Sequence, residues 1–153
     1  MTIPNGSKPD LVFYYSLLLP TSVINKTING KDVIQTATGV LTADPEYQQV
    51  IGKFAFNITV YNAINPTTNE PNNDQRIFEV TGTNVYFLPE GTISNSINLN
   101  FYKDNNGNFI VPSDQENVYQ ILSGSGDFLN YSGFIVQLTD GKLGREIQVY
   151  FDK

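Results

Sequence analysis

The chain has 153 residues, of which 40% are hydrophobic and 16% charged, so it is too apolar for intrinsic disorder and long enough to bury one core. Its 15 acidic residues exceed its 9 basic ones, and the net charge of -6 argues against binding to nucleic acid or to an anionic membrane, because both need clustered cations. Cys, His and Trp are absent, which excludes disulfides, thiolate and imidazole chemistry and the usual zinc sites. We therefore expect no metal and no cofactor.

Apolar and polar residues alternate with a period of two in short segments along the chain, which predicts an all-β protein. In chain order the predicted strands are 11–19, 33–42, 53–62, 76–88, 97–102, 109–111, 118–122, 134–139 and 146–152. The clearest is 53–62, where Phe54, Phe56, Ile58 and Val60 share one face. Residues 1–9 are expected to form a flexible tail. Residues 65–75 hold two prolines and no other apolar side chain, which predicts an exposed loop.

Two tight turns predict that neighbouring strands are antiparallel. The Asn106-Gly107 and Asp140-Gly141 pairs each lie between apolar runs and accept the positive φ angles of a hairpin turn. No internal repeat or change in composition divides the chain, so residues 1–153 are predicted to form one domain. Sequential antiparallel strands around one core favour either a small β-barrel or a β-sandwich.

The segment 118–134 contains a spaced glycine motif made by Gly124, Gly126, Phe128 and Gly133. It resembles the signature of the allene oxide cyclase and dirigent protein barrel superfamily, in which a glycine-rich strand end is followed by Phe and by a Gly that opens the next strand. The glycines allow a tight strand exit, and Phe128 could plug the barrel end. The opening strand, with its Tyr14-Tyr15 pair, and the Gly39 strand are similar to the first strands of dirigent proteins.

This resemblance implies a single eight-stranded antiparallel barrel that forms a dimer or a trimer. It also implies a lumen that binds a small apolar molecule without a cofactor, as a cyclase or as a guide of stereochemistry.

Glu79 is the candidate catalytic residue, because it is the only carboxylate enclosed within an apolar strand segment, 77–80. Burial there would raise the pKa of the carboxyl and make it a usable acid or base. The alternative is that Glu79 lies on the solvent face, since Glu is rarely fully buried.

Arginines and tyrosines supply the candidate ligand-binding residues. Arg76 and Arg145 are the only arginines, and each could bind a ligand carboxylate or form a salt bridge at the rim. Tyr14 and Tyr61 lie in or beside apolar strand segments and could line a pocket. They could equally fill the barrel or form an oligomer interface.

Two functions follow from these observations. The first is a barrel that binds a small apolar ligand, with or without turnover. The second is a structural or interaction protein with a lumen filled by side chains. The second function is favoured by the richness in Asn and Ile, which indicates AT-rich coding. Such coding suits a large DNA virus or its mobile elements, and a virion-associated protein.

No signal peptide is recognised before residue 11 and no apolar run reaches the ~20 residues of a membrane span, so we expect a cytoplasmic protein.

Overall fold

The computed structural model describes residues 7–16, 22–28, 32–62, 64–65, 70–71, 77–103, 109–110, 116–139 and 144–152. Its strands are β1 (Leu11–Ser16), β2 (Ser22–Ile28), β3 (Asp32–Thr42), β4 (Val50–Asn62), β5 (Ile64–Asn65), β6 (Glu70–Pro71), β7 (Ile77–Leu88), β8 (Gly91–Lys103), β9 (Phe109–Ile110), β10 (Glu116–Gly124), β11 (Gly133–Thr139) and β12 (Gly144–Phe151). A single 3-10 turn, Gly126–Phe128, joins β10 to β11. Within these ranges no helix has the length and apolar character needed to cross a membrane.

Eight antiparallel strands close into a barrel. Their order around the barrel is β1, β12, β11, β10, β8, β7, β4 and β3, and the ring closes where Tyr14 of β1 pairs with Thr42 of β3. The predicted eight-stranded antiparallel barrel is confirmed, and the β-sandwich is excluded. Barrel closure removes the exposed edges that an open sheet would have along these strands.

Two parts of the strand prediction were wrong. β2 was missed because its residues, Ser-Val-Ile-Asn-Lys-Thr-Ile, mix polar and apolar positions without a clean period. It continues along the edge of β3 beyond the place where β1 pairs. β8 begins at Gly91 and not at residue 97, because its first residues are mostly Ser, Thr and Asn and are held by pairing with β7. The loop prediction for 65–75 was also wrong where the chain is described, because Asn65 pairs with Glu70 between β5 and β6. The rest of that loop and most of the predicted tail lie outside the described residues.

Bulky side chains fill the described part of the lumen. Strand alternation points one set of residues inward, and in register Phe13 faces Ile147 and Ile135 faces Val149. The buried cluster consists of Phe13, Tyr15, Leu41, Phe54, Tyr86, Ile93, Ile121, Phe128, Ile135, Ile147 and Val149, and no member is more than 8% exposed. Its rings are in direct contact, with 5.2 Å between the centroids of Phe13 and Tyr86 and 4.4 Å between those of Tyr15 and Phe54.

The glycine motif lies at one end of the barrel, around Phe128. The Phe128 ring is 5% exposed and stacks on Phe151 at 5.7 Å. Gly126 has φ +63° and Gly133 has φ +145°, which L side chains rarely adopt. A side chain at Gly133 would also collide with the backbone carbonyl of Tyr150. The backbone therefore turns closely around Phe128 where β11 begins.

Candidate functional site

The structure places four of the five predicted site residues, and these four lie in two regions. Glu79 of β7 pairs with Tyr61 of β4 and with Asn100 of β8, so the backbones of Glu79 and Tyr61 are neighbours in the sheet. Arg76 lies outside the described residues. Tyr14 and Arg145 belong to the adjacent strands β1 and β12 on another side of the barrel. The predicted set is therefore not gathered into one site by the described backbone.

Tyr14 and Arg145 occupy opposite faces of the barrel wall. Tyr14 pairs with Glu146, and the next pair along is Tyr15 with Arg145. Because successive side chains of a strand point to opposite faces, the fully buried Tyr15 identifies its own pair as the inward one. Tyr14 and Glu146 consequently point to the outside.

An open groove of about 330 Å³ lies on this outer wall, next to the turn that joins β3 to β4. Its lining residues are Tyr14, Pro45, Tyr47, Leu138, Gly144, Arg145 and Glu146. We call it the Tyr47 groove. Its volume is at the lower end of the range of small-molecule sites, about 300–1,000 Å³. Two of the predicted ligand-binding residues, Tyr14 and Arg145, border this groove, although their side chains point to opposite faces of the wall.

Asp44 fixes the turn that forms one wall of the groove. Its carboxylate accepts hydrogen bonds from the backbone N–H of Gln48 at 3.1 Å and of Gln49 at 2.7 Å. These bonds, led by the one from Gln49, hold the pKa of Asp44 below its usual range. The Thr42 hydroxyl donates to the Asp44 carbonyl at 2.9 Å. The turn is thus held by its own hydrogen bonds.

Tyr47 adopts a backbone conformation that is unusual for an aromatic residue. Its φ is 61°, in the left-handed region where a side chain costs free energy. Residues held in such conformations cluster at binding and catalytic sites. The Asp44 hydrogen bonds and the pairing of Ala43 with Gln49 at 2.9 Å hold the conformation that places Tyr47 on the groove.

A chain of hydrogen bonds runs along the outer face of β12 from the groove. Gln148 Nε2 donates to Glu146 Oε2 at 2.7 Å, and the Tyr150 hydroxyl donates to Gln148 Oε1 at 2.9 Å. At the groove, partial burial raises the pKa of Tyr14, and the charge of Glu146 and a hydrogen bond to it raise that pKa further. The Glu146 carboxylate is therefore positioned by neighbours on two strands.

The inner face of the same wall carries a buried polar cluster. Arg145 is 9% exposed, and its Nη1 donates to the Gly144 carbonyl at 2.9 Å. Burial raises the pKa of Tyr15, Tyr86 and Tyr119, while the charge of Arg145 opposes the rise at each. These phenols stay protonated at neutral pH. They can stabilise the guanidinium as neutral acceptors, but they cannot act as bases.

Two amides complete the inner cluster. Asn84 Nδ2 donates to the Tyr86 hydroxyl at 3.3 Å. Asn95 Nδ2 donates to the Ser96 carbonyl at 3.0 Å, while Asn95 Oδ1 is buried without a hydrogen-bond partner. Asn95 is 0% exposed, so no water-sized space adjoins its side chain. The cluster is part of the packed core.

Sequence reasoning did not identify Pro45, Tyr47, Leu138 or Glu146 as residues of this groove. In the sequence, the segment around Tyr47 indicates only a turn. The groove forms when the Thr42 end of β3 pairs with β1, and the sequence of this segment does not reveal that pairing. In the part of the chain that the structure describes, no group of three or more acidic side chains could hold a metal ion. No protein-family model matches the chain, and no curated protein does. The resemblance to the allene oxide cyclase and dirigent barrels therefore depends on the motif residues.

Proposed function

We propose that this barrel binds a small, largely apolar molecule in the Tyr47 groove and does not transform it. The proposal rests on one observation, the location of the space that could hold a ligand. The described lumen is packed with side chains, whereas the groove offers about 330 Å³ on the outer wall. Concave sites lined by apolar and aromatic residues with a few polar groups are typical of small-molecule binding.

The composition of the groove supports this function. Tyr14, Tyr47, Pro45 and Leu138 supply aromatic and aliphatic surface, and Glu146 supplies a fixed charge. The turn that holds Tyr47 is ordered before any ligand arrives, so little entropy is lost when one binds. Tyr14 and Glu146, two acidic groups on the groove, interact with each other, which favours binding over turnover.

Lumen binding of the allene oxide cyclase or dirigent type needs a different geometry. An apolar substrate would have to occupy the lumen, where the described side chains form a packed cluster. If Glu79 is the acid or base of such a reaction, Glu79→Gln abolishes turnover and leaves the melting temperature nearly unchanged. A large loss of stability with activity intact would exclude that role.

The proposed function is tested by NMR titration of the full chain with a library of small aromatic and aliphatic compounds. Binding at the groove shifts the amide signals of residues 44, 46–49 and 144–146 in a saturable way. The variant Tyr47→Ala should weaken those responses, while Leu122→Ala, which truncates a residue 58% exposed elsewhere on the barrel, should leave them unchanged. Saturable shifts confined to other residues would refute the assignment to this groove.

A second candidate function, an interaction protein that pairs with a second copy, is favoured by β2. Within the described residues β2 pairs only with β3, and its Ile24 is 66% exposed. An uncovered strand edge is a template for pairing with another chain. Native mass spectrometry would show a ligand-free dimer or larger assembly that Ile24→Lys disrupts. A monomer at all concentrations would exclude this function.

A further inference from the structure

Acidic residues at and beside the Tyr47 groove outnumber the one cation in its lining, Arg145. Glu146 lies on its wall, and Glu46, in the adjoining turn, acts electrostatically on the Tyr14 hydroxyl together with Glu146. Asp44, in the same turn, is engaged by the backbone of Gln48 and Gln49. Glu146 is therefore the carboxylate on the groove wall, and Glu46 adds negative charge in the adjoining turn.

Arg145 is the one cation among the lining residues, and its guanidinium does not offset this charge at the groove surface. The residue is 9% exposed, and the guanidinium donates to the Gly144 carbonyl. Arg145 pairs with the buried Tyr15 on the inward face of the strands, which directs its side chain to the lumen side of the wall. A ligand on the outside meets the carboxylate of Glu146 before it meets the guanidinium.

Aromatic rings accompany the carboxylates. Tyr14 and Tyr47 both line the groove, and the face of a tyrosine ring attracts a cation within about 6 Å. Pro45 and Leu138 supply apolar surface beside them. A carboxylate next to aromatic and aliphatic walls matches a ligand that has a positive head and an apolar body.

Glu146 retains the capacity to accept another donor. Its carboxylate already accepts from Gln148 at 2.7 Å and interacts with the Tyr14 hydroxyl. An ionised carboxylate has about four lone-pair sites, so both contacts can persist when an N–H group of a ligand binds. These contacts also fix the carboxylate in place, which limits the entropy lost on binding.

We propose that the Tyr47 groove binds a free small organic cation, an ammonium group on an apolar body, with Glu146 as its counter-charge and Tyr14 and Tyr47 as its aromatic walls. This inference rests on the proposed function and adds the chemical class of the ligand. The acidic character of the chain, with a net charge of -6, favours the approach of such a ligand.

The test compares three probes of similar shape and different charge by NMR titration. Benzylamine, which is a cation at neutral pH, should shift the amide signals of residues 44, 46–49 and 144–146 and should bind more tightly than benzyl alcohol or benzoate. Raising the salt from about 0.05 M to about 0.5 M should weaken benzylamine binding to the unmodified protein, because the charges are near the surface. This measurement needs no variant.

Glu146→Gln should weaken benzylamine about fivefold, as expected for one partly exposed ion pair, and should leave benzyl alcohol unchanged. The matched control is Glu90→Gln, an exposed glutamate in the turn between β7 and β8.

Equal or tighter binding of benzyl alcohol or benzoate at the groove residues would overturn the cation assignment and leave the proposed function standing. No response to any probe would overturn both. Tighter binding of N-acetyl-lysine methylamide than of benzylamine would overturn the choice of a free small molecule over a peptide side chain.

Discussion

Truncation of Ile135 tests whether the lumen is a packed core or a binding cavity. Ile135 is 0% exposed and pairs with Tyr119 of β10 and Val149 of β12 on the inner face. Ile135→Ala removes three carbon atoms, worth about 2.4 kcal/mol at ~0.8 kcal/mol for each buried methylene. The cavity left in a rigid wall adds to this loss, so we expect a total of about 3–4 kcal/mol.

Urea unfolding followed by circular dichroism measures this loss. Ile135→Val should cost about 1 kcal/mol, and Ile135→Ala about three times as much. At roughly 2–4 °C for each kcal/mol in a chain of this size, the Ala variant should melt about 6–16 °C below the unmodified protein. Leu122→Ala, at an exposed position, should change the free energy of unfolding by less than about 0.5 kcal/mol.

The reasoning would be refuted if Ile135→Ala cost less than about 1 kcal/mol. A side chain that borders an open ligand cavity has fewer contacts to lose, so its truncation is cheap. That result would return the binding site to the lumen, and it would weaken the case for the outer groove.

Three further predictions concern the barrel end and the buried tyrosines. Gly133→Ala should lower the free energy of unfolding by about 1–3 kcal/mol, because it combines φ +145° with a collision against the β12 backbone; an unchanged thermal melt would contradict this. Burial raises the pKa of Tyr15, Tyr86 and Tyr119 above the ordinary value of 10.0, so the unfolded chain ionises first. Their contribution to stability is complete below pH 10.0 and is lost as the pH rises above it, and an equal urea midpoint at about pH 8 and about pH 11 would exclude it. In Arg145→Met the phenolate absorbance of the folded protein should appear at still higher pH, since the charge that favours ionisation is removed; a shift to lower pH would argue against this arrangement.

The sequence predicts the barrel well where a strand has one buried and one polar face. Segments 53–62 and 146–152 alternate strictly, and the structure places them in β4 and β12. β2 could not be identified in this way, because it pairs along only part of β3 and lacks a clean alternation. The start of β8 was also missed, since its Ser, Thr and Asn residues are held by backbone pairing with β7 and not by an apolar face.

The candidate site was only partly predictable. Tyr14 and Arg145 attract attention as an aromatic residue in an apolar strand and as one of two arginines. Whether each points inward or outward depends on the pairing of β1 with β12, which no local pattern reveals. Tyr47 lies next to Tyr14 in the groove because Tyr14 pairs with Thr42, at the end of β3. Tyr14 and Thr42 are distant in the chain. The positive φ of Tyr47 is a property of the folded turn and has no signature in sequence.

The pairing of β1 with β12 has a consequence for how the protein is made. Asp10 accepts a hydrogen bond from the backbone N–H of Phe151 at 2.8 Å across a sequence separation of 141, and β1 lies in register with β12 along its whole length. The barrel can therefore close only after β12 has left the ribosome. Until then the partner edge of β1 stays uncovered, and contacts of such long range make folding slow. A nascent chain in which β12 is not yet available cannot complete the barrel, and co-translational chaperones should affect its yield more than its final stability.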